Sequence, residues 1–385
     1  MKKIVSAAII AAMVVGSVFA DVKISGNYRI GTNLVNMNMP GDDAKEDTQV
    51  FNDMAKTAWG DNVTFEWKDE NAGVKLLFKT SESSLAMDYG FGWLKFGALK
   101  LYGGTQDVRG AIKRVNPLDG NWWDNFCEYG KPGVHKDLAV LGLDSGNVTG
   151  DQKGKKAVNI MGEYAIADNM NARLALFKNE KSEGSMFDSI NVAAQFDMKQ
   201  DLFNLAATFK YGKNDTETSG TAKEDTGVMS LGLFVNPIVV DGLDMLVGFT
   251  YAKAESESFE TVADNAVTAV DFRASYKVDA WTLSSLNNFT FVDGDMATWN
   301  TLGAAYKVND VITAAGVQAI FNSTKGTWDD DANTSDYMKV RPYIDLTAQK
   351  NAVLSIGLEI GVKNFMGEGD QDMTVTVPTV MRVKL

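Results

Sequence analysis

A two-residue rhythm constrains this chain more than any other feature. Val22, Ile24, Tyr28 and Ile30 alternate with Lys23, Ser25, Asn27 and Arg29. Val63, Phe65 and Trp67 alternate with Thr64, Glu66 and Lys68, and Val74, Leu76 and Phe78 with Lys75 and Lys79. Further on, Phe272, Ala274, Tyr276 and Val278 alternate with Asp271, Arg273, Ser275 and Lys277. Successive side chains of a strand point to opposite faces, so each segment has one apolar face and one wet face. The segments run to about ten residues, the length a tilted strand needs to cross a bilayer, whereas strands of a soluble sandwich average about five or six. The rhythm predicts an all-β fold, a transmembrane antiparallel β-barrel of about 18 strands, with 16 as the alternative.

Strands are expected near 21–34, 58–68, 72–80, 87–97, 98–107, 156–166, 171–180, 186–198 and 201–212 in the first half. The second half predicts 227–238, 242–254, 266–278, 280–292, 297–307, 310–322, 337–348, 352–364 and 373–385. Short turns alternate with long polar stretches around 35–57, 107–156, 213–226, 255–265, 323–336 and 365–372. Outer-membrane barrels have short periplasmic turns and long outer loops, so both termini are expected in the periplasm. Aromatics recur beside the short turns: Trp67, Tyr164, Phe196, Phe203, Tyr276, Trp281 and Tyr306. That spacing predicts an aromatic girdle at one interface. Val375, Val377, Thr379, Met381, Val383 and Leu385 alternate to the end, with Pro378 inside the run. Closure removes unpaired edges that lipid does not tolerate, so this strand should pair with the first, with an irregular rung at Pro378.

Residues 1–20 read as a secretory signal peptide: Lys2 and Lys3, an apolar run from Ile4 to Phe19, and small Ala20 before Asp21. The barrel would then occupy 21–385. No later stretch has the roughly 18 uninterrupted apolar residues of a spanning helix. Removing the two signal lysines leaves 35 basic against 50 acidic residues, a net charge of −15. Such a chain repels nucleic acid and favours cations at a pore mouth. Cys127 is the only cysteine, which excludes an internal disulfide framework; the thiol is read as a packed loop residue.

Phe91 to Gln106, FGWLKFGALKLYGGTQ, followed at once by a long loop, resembles the fourth and fifth strands of the general bacterial porins of the outer membrane. The signal peptide, the hairpin repeats and the terminal strand extend the resemblance, as architecture, over essentially the whole chain. The resemblance implies a long third loop, here 107–156, folded into the lumen as a constriction, and a homotrimer. Two departures stand out: the chain ends in Leu385 rather than an aromatic, and the loop lacks a Pro-Glu-Phe-Gly-Gly run.

Opposed charges across a constriction order water and filter solutes. Asp119, Asp124 and Glu128 in that loop, and Arg29, Lys75, Lys100 and Arg173 on the wet phase of nearby strands, are the candidate constriction residues. The competing reading of each is a solvated surface charge. Trp122, Trp123, Phe126 and Tyr129 either pin the loop to the wall or form a stacking track for sugars. His135 is the only histidine, which excludes a His-cluster metal site and disfavours a hydrolase. Asp329, Asp331, Asn333 and Ser335 imitate the start of a calcium loop, yet Thr334 and Val340 stand where Gly and Glu are needed. No cofactor, metal or catalytic residue is expected. The expected function is a porin in the outer membrane, in contact with its lipid, through which small hydrophilic solutes and ions diffuse. The alternative is a surface structural protein or adhesin acting through its external loops.

Overall fold

Alternation fixes which side of each strand faces water, and the pairing shows how the strands assemble. The structure, a computed structural model, describes residues 22–41, 47–53, 62–81, 84–105, 158–178, 190–216, 224–255, 266–292, 295–323, 336–365 and 371–384. Residues 1–21, the stretch 107–156 and most of the other long connections lie outside this set. Among the described residues no helix is long and apolar enough to cross a membrane.

The described residues form one antiparallel sheet. It contains β1 (Lys23–Met39), β2 (Asp47–Asp53), β3 (Asn62–Lys68), β4 (Ala72–Ser81), β5 (Ser84–Phe96), β6 (Leu99–Thr105) and β7 (Val158–Ala167). It continues through β8 (Met170–Lys178), β9 (Ile190–Lys199), β10 (Phe203–Thr216), β11 (Glu224–Pro237), β12 (Leu243–Glu255), β13 (Val267–Val278) and β14 (Trp281–Val292). The last are β15 (Asp295–Tyr306), β16 (Ile312–Ser323), β17 (Tyr337–Gln349), β18 (Ala352–Gly357), β19 (Glu359–Lys363) and β20 (Met373–Lys384).

Twenty elements exceed the expected 18 because two crossings are each described in two pieces. β2 and β3 both pair with β1, separated by residues 54–61. β18 and β19 both lie between β17 and β20 and part at Leu358, whose N–H donates to the Pro342 carbonyl instead. Counted as one crossing each, these pairs bring twenty elements to eighteen. The stretch 35–57, expected as a connection, is in part strand: β1 continues to Met39 and Asp47–Asp53 pairs with Thr32–Asn38. Val35, Met37 and Met39 carry the apolar phase onward there, which keeps the ladder favourable.

β1 pairs with β20 on one side and with β3 on the other, so the sheet is a closed ring. Pro378, which has no N–H to donate, stands opposite Asn33, and the register shifts between Asn33 and Asn36. Short turns close several hairpins, among them β5–β6 and β13–β14. Gly97 at φ 60° and Asp279 at φ 53° supply the left-handed conformation that a tight hairpin needs. Trp281 stands directly opposite Tyr306 beside two of these turns, with ring centroids 5.1 Å apart, as the girdle requires.

Paired residues share a face, and the register carries one face unbroken around the ring. Glu66 stands opposite Lys75, Lys100 opposite Glu163, Glu163 opposite Arg173, Asp271 opposite Asn288 and Gln318 opposite Arg341. This inner face also holds the buried apolar side chains, among them Met161, Phe234, Leu246, Leu286 and Val380. The opposite phase carries Leu174, Leu231, Val247, Leu283, Leu302 and Ile344, all exposed. The usual order of a soluble protein, apolar within and polar without, is therefore reversed wherever charge is concerned.

Candidate functional site

The richest set of accessible polar side chains on the inner face spans β5 to β9. Arg173 on β8 donates from Nε to Glu163 Oε2 on β7 at 2.6 Å, and its Nη1 forms an ion pair with Asp197 on β9. Gln195 donates to the other Asp197 oxygen. Lys100 on β6 stands opposite Glu163, with Nζ 4.0 Å from the ring centroid of Trp93 and 4.7 Å from that of Tyr102. Trp93 lies against the wall where Gly73 leaves room; a Cβ at 73 would collide with the indole. A planar arginine holding two carboxylates is a rigid arrangement, and a lysine over two aromatic faces is a cation kept in place without a dedicated carboxylate. Arg173 keeps 19% of its side-chain surface exposed and Glu163 23%.

A second ionic cluster sits half the ring away, since β8 and β17 are nine crossings apart in the strand order. Arg341 on β17 donates from Nε to Glu359 Oε2 at 2.8 Å and pairs with the same carboxylate through Nη2. Lys339 Nζ reaches Glu359 Oε1 at 2.8 Å. Only 4% of the Arg341 side chain and 7% of that of Glu359 are exposed. Between the two clusters, Asn288 donates to Asp271 Oδ1 at 2.7 Å and Asn204 to Asn236 Oδ1 at 2.8 Å.

Of the residues singled out by sequence, Lys100 and Arg173 are brought together through Glu163. Lys75 lies on the same inner face, opposite Glu66 and Phe91. Arg29 stands opposite Arg382 in the β1–β20 register, and its side chain is outside the described set. Asp119, Asp124, Glu128, the four loop aromatics, Cys127, His135 and the 329–335 acidic stretch lie outside the described residues. Sequence reasoning missed Glu163, Asp197 and the whole Lys339–Arg341–Glu359 cluster. Glu163 was findable: it and Arg173 are nearly equidistant from the Asp168–Asn169 turn, which pairs them across the hairpin. Among the described residues no group of His, Cys, Asp and Glu is arranged to hold a metal.

No protein-family model matches the chain, and no curated protein matches it. Among solved structures it is similar to a porin at 13% identity, covering 95% of this chain and 100% of that one, with a TM-score of 0.49. It is similar to a Rh. blastica porin mutant at 13% identity, covering 95% and 100%, with a TM-score of 0.44. A loop-deletion mutant of OmpT, an outer-membrane protein of Vibrio cholerae, matches at 11% identity, covering 95% and 99%, with a TM-score of 0.42. At these identities and scores, what the lumen does follows from this chain's own residues.

Proposed function

We propose that this protein is a porin of the outer membrane, a water-filled channel through which small hydrophilic solutes and ions diffuse passively. One observation carries the reading: a closed ring in which ion pairs line one face and exposed apolar side chains cover the other. A bilayer outside satisfies the apolar face, and water inside satisfies the charged one. No covalent step is needed. Each ring encloses its own lumen, so a homotrimer is not required for passage.

The lining also bears on the solute. On β3 to β8 the inner face carries Lys68, Lys75, Lys79, Lys95, Lys100 and Arg173 against Glu66 and Glu163. Net charge alone pointed to cations at the mouth, whereas this stretch of wall favours anions, because fixed charge close to the ion outweighs distant charge screened by salt. Reconstitution in a planar bilayer under a salt gradient tests both points. Steps of fixed conductance with a reversal potential on the anion side are expected. Correctly folded protein without conductance sinks the channel reading, and a cation-side potential sinks the solute preference alone.

A further inference from the structure

We propose that Trp93 and Tyr102 are positioning residues for the Lys100 ammonium, and that this ring-held charge sets the ion preference of the lumen at its short-turn end. The inference deepens the channel reading and rests on it. It concerns two side chains that carry no charge themselves.

The β5–β6 hairpin builds the arrangement. Lys95 stands opposite Lys100 beside the Gly97 turn, and Trp93 stands opposite Tyr102 on the next inward rung. Lys100 reaches back over that rung, with Nζ 4.0 Å from the Trp93 centroid and 4.7 Å from that of Tyr102. Each ring is held from behind. Trp93 lies where Gly73, its partner on β4, leaves space, since a Cβ at 73 would run into the indole Nε1 and Cε2. Tyr102 leans on Phe91, with ring centroids 6.1 Å apart and planes at 54°.

What holds a charge decides how much of it a passing ion feels. A carboxylate partner cancels an ammonium at a distance, whereas a ring face attracts it through a quadrupole and carries no net charge. Glu163 stands directly opposite Lys100, yet its Oε2 accepts from Arg173 Nε at 2.6 Å. Arg173 is in turn shared with Asp197, so that arginine is cancelled by two carboxylates while Lys100 rests on two rings. Without the rings, Lys100 can swing to the second oxygen of Glu163 and lose its reach into the lumen. The rings therefore keep the charge in the path as well as in place.

Water runs along this stretch of wall. Inward-facing Lys95 is exposed, and Trp93, Lys100 and Tyr102 are half-buried. Across the ring, the inward-facing Asp271, Asn288, Thr301 and Gln318 are buried. An ion following the water at this end passes close to the ring-held ammonium.

Reversal potentials of the full chain in planar bilayers at low salt test the role. Lys100→Gln should lower the anion-to-cation permeability ratio by about fivefold. Trp93→Leu removes no charge and should lower it by about threefold; Gly73→Ala removes neither charge nor ring and should lower it by about twofold. These shifts run toward cations whichever sign the wild-type potential has. Trp93→Tyr, which keeps a ring face, should keep most of the ratio. In the Lys100→Gln background Trp93→Leu should change nothing further, because a side chain that acts by holding the ammonium has no role without it. The role fails if Trp93→Leu shifts the potential equally with and without Lys100, the mark of an altered pore shape. A folded wild type that passes no current sinks the channel reading and this role together, whereas current with a potential unmoved by Trp93→Leu sinks this role alone. If Trp93→Leu gives no folded band in unheated gels, Gly73→Ala, alone and with Lys100→Gln, decides.

Discussion

The ionic clusters on β6–β9 and on β16–β19 use the same chemistry, an arginine shared with a carboxylate, yet one is open to the lumen and the other is sealed. Arg173 and Glu163 keep about a fifth of their side-chain surface, while Arg341 and Glu359 keep almost none. A charge that water reaches can act on a passing ion. A charge that water does not reach is spent on holding its neighbours, since removing one partner strands the other in a poorly solvated site. Lining charge and working charge are therefore different sets, and exposure separates them.

The largest expected effect tests the sealed side. Arg341→Ala leaves Glu359 without its main partner and should lower stability by about 3–5 kcal/mol. The measurement is the temperature at which the folded gel band converts to the unfolded one. If Arg341→Ala instead shifts ion selectivity at unchanged stability, the division between the clusters is wrong. Next comes the open side: Arg173→Gln should reduce the anion-to-cation permeability ratio by about two- to fivefold, the effect of one charge a few ångströms from the ion path. Reversal potential under a salt gradient reads it, and the shift should shrink as salt rises. Lys75→Gln, on the same wall but outside the arginine cluster, should move the same potential in the same direction by less than about twofold.

Least of all is expected from the exposed turn after β15. There a hydrogen bond from Lys307 to Asp310, 2.8 Å long, holds the Asp310 carboxyl below its ordinary range. A depressed carboxyl favours the folded state above the ordinary carboxylate range and loses that contribution as pH falls through its own lowered value. Both groups are largely exposed, so Lys307→Ala should leave the unfolding temperature unchanged. The Asp310 carboxyl should then titrate closer to its usual value, as NMR of the labelled carboxylate would record.

Faces were legible in the sequence where alternation is strict. Asp271, Arg273 and Ser275 could be assigned to the wet side before any pairing was known, and the ring places them there. Strand neighbours were legible across short turns for the same reason that Glu163 and Arg173 pair. Exposure was not legible, because it depends on what the facing strands carry; nothing local distinguishes Arg173 from Arg341. Phase was ambiguous where polar residues run together, as in Ser284–Ser285 and Asn287–Asn288, so the outward asparagine of that pair emerged only from the register. The break at Leu358 escaped because alternation persists on both sides of it, and β2 escaped because polar residues outnumber apolar ones across 47–53.

The junction of β1 with β20 has a consequence in time as well as in space. Gly41 donates a backbone hydrogen bond to Asp372 Oδ1 across 331 residues of chain, and the adjoining ladder spans still more. Contacts so distant in sequence form late and slowly, so the cylinder stays open-sided until the β20 segment arrives. Until that moment the edges of β1 and β20 are sticky, and loss of the final strand leaves them without a mate. Any factor that holds this chain before closure must therefore guard β1 until β20 reaches it.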